Sequence, residues 1–420
     1  MFTSVFRASR LLPVCVLVLT APASAQPRLS LATLVDEALQ ASAAVQAASQ
    51  RTLAASARID QVRVRPDPIV SGGYRSVGSP LPGAGLRTEP LASFSVMASQ
   101  AIPLPGRRAL ETTAATNDRD AERPLAEAIR LATISRVKQA YYRLARVYAE
   151  ADVVGRNVDL LDTLLQVSEG RYAVGKAAQQ DVIKAQTELS ILELQQRRLA
   201  QERLTLEAEL NVLRGVPADA PVGRPDDLTF VTFDHSLDAL LDEALRQAPV
   251  LQRDRTLITR AETGVALARL TGRPDLTVSG GYSYSGAMPA MFEARIDVSV
   301  PLRSTRRRSA VAEQTSLLTA ARADLTADAQ QLGIQIAQQC RAATTATELA
   351  RLYRDAVLPQ ARLALESSIT SYESGSVDFL SVLTNFAAVL QYETSYVGEL
   401  MNLHVATSQV EELTGAALTH

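Results

Sequence analysis

The chain has no tryptophan, two cysteines, three histidines and 5% aromatic residues in 420 positions. Each scarcity removes a class of function. Cys15 falls in an N-terminal apolar stretch, which leaves Cys340 alone in the rest of the chain and no internal disulfide to form. His235, His404 and His420 are too few and too scattered for a zinc-type ligand spacing. No nucleophile–base pair stands out either. The sequence reads as a non-enzyme with no cofactor and no metal site. A basic excess is also missing. With 43 basic and 45 acidic residues the net charge is −2, which argues against a nucleic-acid partner. Beyond the N-terminus there is no run of about 18 apolar residues, so no membrane-spanning helix is expected.

The N-terminus itself reads as a secretory signal over 1–25. Arg7 and Arg10 precede an apolar core, Leu11 to Thr20, and Ala23-Ser24-Ala25 is a small-residue cleavage pattern. Val14, before Cys15, is bulky where lipidation wants a small residue. Loss of the two arginines moves the net charge from −2 to −4.

What is present is a duplication. Arg-Tyr-Ala-Val-Gly around Tyr172 and Ser-Tyr-Glu-Ser-Gly around Tyr372 each open a helix, closed at Gly215 and Gly415. Val-Asp-Glu-Ala-Leu at 35–39 returns as Leu-Asp-Glu-Ala-Leu at 241–245. Arg65-Pro66-Asp67 returns at Arg273-Pro274-Asp275, and Gly72-Gly73-Tyr74 at Gly280-Gly281-Tyr282. So long a period marks a duplicated half rather than a solenoid. The halves are 26–215 and 236–420, joined by a linker at 216–235 rich in Pro and Gly.

Each half opens with a helical pattern, 30–64 behind Ser30 and its counterpart behind Ser236, ending at the Arg-Pro-Asp turn. The period then changes to 2. Leu276, Val278, Gly280, Tyr282 and Tyr284 alternate with Thr277, Ser279, Gly281 and Ser283. Phe292, Ala294, Ile296 and Val298 alternate with Glu293, Arg295, Asp297 and Ser299. In the first half Val70, Gly72 and Tyr74 alternate with Ser71, Gly73 and Arg75, and Phe94, Val96 and Ala98 with Ser93, Ser95 and Ser99. Four strands are expected, about 68–76, 92–102, 275–285 and 291–300. In isolation this alternation suits a soluble sandwich. Two facts point elsewhere: the strands have the length of tilted membrane strands, and four strands are too few to bury either face. Arg75, Glu293, Arg295 and Asp297 all lie on the polar face, which makes them candidate lumen residues of an outer-membrane barrel. An open sheet is not viable in lipid and the smallest membrane barrels have about 8 strands, so several chains must share one barrel.

A coiled-coil hairpin follows each strand pair, about 106–214 and 304–414. The first seam runs through Val137, Leu144, Ala151, Val158 and Leu165 with Ala140, Val147, Val154 and Leu161. The return has Val182 and Leu189 with Ala185, Leu192, Leu199 and Leu206. The last helix has Val382, Val389, Tyr396, Leu403 and Val410, with Asn385 and Glu399 diluting its other row. Turns are expected at Gly175 and Gly375, and kinks or restarts at Pro124 and Pro359. The fold class is mainly α with a small β part.

Helix, β-hairpin and long helical hairpin, written twice behind a signal, resembles the TolC-like outer-membrane efflux proteins over essentially all of 26–415. Tyr172-x-x-Gly175 before Asp181-Val182, and Tyr372-x-x-Gly375 before Val382-Leu383, carry the resemblance. Ser371 to Leu383 and Leu358-Pro359-Gln360-Ala361 are most similar to the branch serving heavy-metal pumps of the RND type. The resemblance implies a homotrimer with a 12-stranded β-barrel and a periplasmic α-helical barrel. It implies a passive exit duct in outer-membrane lipid, joined by a periplasmic adaptor (membrane fusion) protein to an inner-membrane efflux pump. It also implies an entrance at Tyr372, Asp181, Lys184, Ser381 and Thr384, with a Tyr372–Asp181 hydrogen bond closing it. The adaptor-docking tips would be Gly175, Lys176, Gly375, Val377 and Asp378. The family's entrance acids are Ser381 and Thr384 here and its tip arginine is Val377, so no acidic ring is expected. The alternatives are the outer-membrane component of type I protein secretion, or a non-channel periplasmic adaptor or scaffold. Arg107, Arg108 and Arg306 to Arg308 follow the exit strands, where they can snorkel toward anionic head groups.

Overall fold

The computed structural model describes residues 29–418 apart from 79, 87, 90, 286, 287 and 302. The signal read at 1–25 lies outside the described residues. In the first half the elements are α1 (Leu31–Ala41), α2 (Ala43–Arg63), β1 (Ile69–Arg75), β2 (Ser93–Ile102), α3 (Arg107–Ala173) and α4 (Gln179–Leu213). In the second they are α5 (Leu237–Gln247), α6 (Pro249–Leu270), β3 (Asp275–Tyr284), β4 (Met291–Ser299), α7 (Ser304–Leu352), α8 (Leu358–Ser374) and α9 (Phe379–Thr414). Among the described residues no helix is long and apolar enough to cross a membrane.

The single helix expected over 30–64 is two. Ser42 leaves the helical backbone with ψ 109°, and its hydroxyl accepts from Val45 N at 3.3 Å, capping α2. The second half breaks at the matching place for a different reason. Ala248 is extended, and Pro249 takes the first helical position, where its missing N–H costs nothing.

The four strands form one antiparallel sheet in the order β1-β2-β3-β4. Its register keeps parity. Val96 lies between Gly72 and Tyr282, and Tyr282 faces Phe292. Ser279 faces Arg295 and Thr277 faces Asp297. One face is therefore continuously apolar across all four strands, and the other carries the charges. The apolar face is uncovered, with Val70, Phe94, Val278, Ile296 and Val298 exposed and Phe292 84% accessible. β1 and β4 are unpaired along their outer edges.

Pro124 does not interrupt α3, which runs unbroken for 67 residues, about 100 Å at 1.5 Å per residue. The upper part of α3 packs along α2 and α6, so one lost hydrogen bond is outweighed by contacts on either side. Pro359 behaves as expected. A π-helical turn, Tyr353–Val357, ends α7, and Pro359 is the second residue of α8.

Below, α3 packs against α4 and α9, and α9 against α8. Ala140, Val147, Val154 and Leu161 form a strict heptad row and are fully buried. The companion row departs from expectation: Ala151 is exposed, and burial passes to Val153, Asn157 and Leu164. α3 packs against α9 as well as α4, and Asn157 donates to Glu393 of α9, so burial spreads beyond the single α3–α4 seam. On α9 the second row is Phe386, Glu393, Leu400 and Thr407, one residue past the expected Asn385 and Glu399.

The linker at 216–235 is a belt laid across the helices. Asn211 Nδ2 donates to Ala218 O and Ala220 O at 3.2 and 2.7 Å. Asp226 N donates to Tyr141 Oη at 2.9 Å, Arg224 pairs with Asp152, and Arg354 stacks 4.3 Å over the Phe230 ring. Thr229 O lies 2.9 Å from His404 Nε2. The belt thereby ties α3 and α4 to the end of α7 and to α9.

Candidate functional site at the helical tips

Both hairpins turn in the same way. Gly175 has φ 73° and Gly375 φ 82°, values that L side chains adopt only with strain. Gly175 N donates to Tyr172 O at 2.9 Å and Lys176 N to Arg171 O at 2.8 Å. Gly375 N donates to Tyr372 O and Ser376 N to Ser371 O at the same two distances. This double bond pattern is the Schellman closure, written identically in each half.

The two tyrosines nevertheless meet different fates. Tyr172 is 48% exposed, while Tyr372 is 3% exposed. The Tyr372 ring packs on Phe379 with centroids 5.2 Å apart, and the Arg171 guanidinium lies 4.7 Å above it. Arg171 also donates to Glu373 O at 2.6 Å and to Lys176 O at 3.4 Å. A residue of the first hairpin thus staples the tip of the second. Arg171 was legible only as part of the Arg-Tyr-x-x-Gly motif and was not singled out.

The expected Tyr372–Asp181 hydrogen bond is absent. The Tyr372 hydroxyl is buried without a hydrogen-bond partner. Burial raises its pKa, the charge of Asp181 adds to that, and the charge of Arg171 opposes it. Asp181 therefore acts on the tyrosine through space, and the cross-hairpin contact that forms is the cationic one from Arg171.

Asp378 is a helix cap. Its carboxylate accepts from Ser381 N at 3.0 Å and from Ser381 Oγ at 2.6 Å. Those two bonds hold its pKa below the usual carboxylate value, and the charge of Lys184, on the neighbouring hairpin, adds a smaller push. Thr384 Oγ1 is turned back onto Leu380 O at 2.8 Å. Gly175, Lys176, Gly375, Val377, Asp378, Ser381 and Thr384 are exposed, and Asp181 and Lys184 half-buried. The structure brings these residues to one end of the helical bundle, with no acid at 381 or 384.

At the other end Arg75, Glu293, Arg295 and Asp297 share the polar face of the sheet, and Arg295 Nε pairs with Asp297 Oδ2 at 2.9 Å. Among the described residues no group of three His, Cys, Asp or Glu side chains is placed to hold a metal ion.

A third cluster escaped the sequence reading. Glu393, 8% exposed, sits where α3, α8 and α9 meet. Arg362 Nε donates to it at 3.1 Å, Asn157 Nδ2 at 3.5 Å, and Arg156 Nη2 lies 3.9 Å away. The groove between α3 and α8, about 410 Å³, is floored here by Leu160, Leu365 and Val389. The signal was present, because Glu393 occupies a buried row of α9 that an off-by-one reading assigned to Asn385 and Glu399.

The profile of the family described as "Outer membrane efflux protein" matches residues 34–216. The chain is 23% identical over 328 residues to the cobalt-zinc-cadmium resistance protein CzcC of Cupriavidus metallidurans, covering 75% of each. Its fold superposes on the outer membrane protein VceC of Vibrio cholerae with a TM-score of 0.77 at 20% identity, over 93% of this chain and 97% of that one. A membrane protein of Pseudomonas aeruginosa superposes with a TM-score of 0.79 at 19% identity, over 92% of each.

Proposed function

We propose that the chain, whose residues 34–216 match the outer membrane efflux protein family, is the outer-membrane exit duct of a tripartite efflux system. Three copies close one 12-stranded barrel and continue it as a helical tunnel in the periplasm. An inner-membrane pump of the RND type supplies the energy, and a periplasmic adaptor docks at the tips around Gly175 and Gly375. Heavy-metal ions are the cargo, a reading supported by the relative named for cobalt, zinc and cadmium resistance.

The observation that carries this reading is the sheet. Four strands expose a continuous apolar face and leave both edges unpaired. Water would penalise each exposed side chain by about 1.5–3 kcal/mol relative to burial. Lipid removes that penalty but cannot satisfy edge amides, so β4 of one copy must pair with β1 of the next. The polar face then lines the pore, with Arg75, Glu293, Arg295 and Asp297 on the conducting path. At the far end Tyr372, Arg171 and Asp181 keep the hairpins together at the entrance. Because residues 381 and 384 carry hydroxyls, divalent cations pass the entrance without a fixed acidic ring to arrest them.

Cross-linking and mass measurement in detergent test the assembly, with a three-chain species expected. Planar-bilayer conductance tests the pore. Cells lacking the protein should become sensitive to cobalt, zinc or cadmium, and the metal should accumulate in their periplasm. A soluble monomer without conductance would refute the duct. Unchanged metal tolerance with loss of a secreted protein would move the cargo to protein secretion.

A further inference from the structure

The two arginines at the end of β2 are engaged within the chain. Arg107 pairs with Glu111 at 3.0 Å and Asp275 at 3.4 Å, and Arg108 donates to Arg63 O. The corresponding place after β4 differs. Arg306, Arg307 and Arg308 occupy the first turn of α7, which holds no acid. With Arg269, from the last turn of α6, they have no carboxylate partner among the described residues. Arg269, Arg307 and Arg308 line an open depression of about 420 Å³ floored by Val311 and Ala312.

Three features set this patch apart from a solvated basic run. Cations in the first turn of a helix oppose its dipole, so an anion supplied from outside would be favoured there. The Arg307 stem also lies close against a backbone turn. A Cβ on Gly272 would stand 2.2 Å from Arg307 Cδ, so any larger residue at 272 would push the arginine off the α6–β3 turn. Finally, the patch is continuous with the exposed apolar face: Ile296, Val298 and Val300 run directly into the α7 arginines.

We propose that Arg269, Arg306, Arg307 and Arg308 form a binding site for the phosphate head group of an anionic membrane lipid at the rim of the barrel. The inference rests on the outer-membrane reading above. The acyl chains lie along the β4 face, the head group enters the depression, and the guanidinium groups give the phosphate paired N–H donors that ammonium groups cannot match. The site fixes the height of the barrel in the bilayer at the second exit strand, a task the first exit strand leaves to its internal ion pairs.

Native mass spectrometry of the full chain, released from mixed micelles of phosphatidylglycerol and phosphatidylcholine, counts the lipids retained. Phosphatidylglycerol is expected to be retained preferentially, and free inorganic phosphate at about 10 mM should not displace it, because the apolar contacts belong to the lipid alone. Neutralising Arg306, Arg307 and Arg308 to Gln should weaken retention by about fivefold per arginine. Arg197→Gln with Arg198→Gln, a distant exposed pair on α4, should leave it unchanged. Gly272→Ala keeps every charge but displaces Arg307, and should weaken retention by about one arginine's worth. If the triple variant fails to assemble, Gly272→Ala and the lipid preference of the unaltered protein still decide. Equal retention of the two lipids by a three-chain species, or displacement by phosphate, overturns the lipid site and leaves the duct standing. A monomer that enters no micelle overturns both.

Discussion

Replacing Glu393 by Gln tests the buried cluster that joins three helices. A buried ion pair broken at one end typically costs about 3–5 kcal/mol, because the remaining charge is stranded. Here the cost is smaller. Arg362 and Arg156 have side chains 60% and 63% exposed, so water re-solvates them once the carboxylate is gone. Asn157 Nδ2 and Arg362 Nε bond different carboxylate oxygens, and the amide keeps an oxygen for one of the two. A loss of about 1–2 kcal/mol per chain is expected. Glu393→Leu removes the acceptor as well, and it should cost no less even though its apolar surface suits the row of Phe386 and Leu400. Guanidinium unfolding of the helical signal in detergent measures both. A double-mutant cycle with Arg362→Gln isolates the pair and should give a coupling of about 0.5–1.5 kcal/mol. Additive effects within about 0.3 kcal/mol would refute the pairing. So would a Glu393→Gln protein as stable as the parent.

The remaining expectations concern the two ends and the belt. Ile296→Arg or Val278→Arg, on the apolar face, should cost about 2–4 kcal/mol near the bilayer midplane and depress insertion, whereas Ser279→Arg or Ser299→Arg should assemble and change conductance; equally poor yields from both sets would contradict the parity. Tyr372→Phe removes a hydroxyl that has no partner, so stability should hold or rise slightly, while Arg171→Ala removes the cross-hairpin contact and should raise single-channel conductance; the reverse order would return the closing role to the hydroxyl. Burial lowers the pKa of His404 from the ordinary imidazole value. The unfolded chain therefore binds more protons, stability is complete above about pH 6.5, and it falls with acidification at up to about 1.4 kcal/mol per pH unit toward the depressed value. His404→Gln should flatten that dependence in thermal unfolding scans between pH 7 and 5.

Strand faces were legible because a period of 2 leaves no freedom: once Tyr282 is apolar-facing, so are Val278 and Phe292, and the register agrees. Helix seams were harder. A helix that packs against more than one neighbour buries positions beyond a single heptad seam, as at Val153 on α3 and Phe386 on α9. The helix break at Ser42 had a local signal, a capping serine, that the long apolar pattern masked. Pro249 marked the second break openly. The unequal burial of Tyr172 and Tyr372 had no local signal at all. The two motifs are nearly alike, and only the approach of Arg171 and Phe379 distinguishes them. The belt was read as a connector because its partners, Tyr141, His404 and Arg354, are between about 70 and 180 positions away in sequence.

A sheet that ends at β1 on one side and β4 on the other also has a consequence for inheritance. In the proposed barrel each copy offers its neighbours two different edges, so a ring would grow head to tail and close only if every member presents both. A copy with a spoiled β4 edge would still be recruited through its intact β1, and would then end the growing chain. Expressed beside a normal copy, such an allele would poison most rings instead of being masked. Mutations at the β4 edge should therefore be dominant, while those in the belt, which each chain completes by itself, should be recessive.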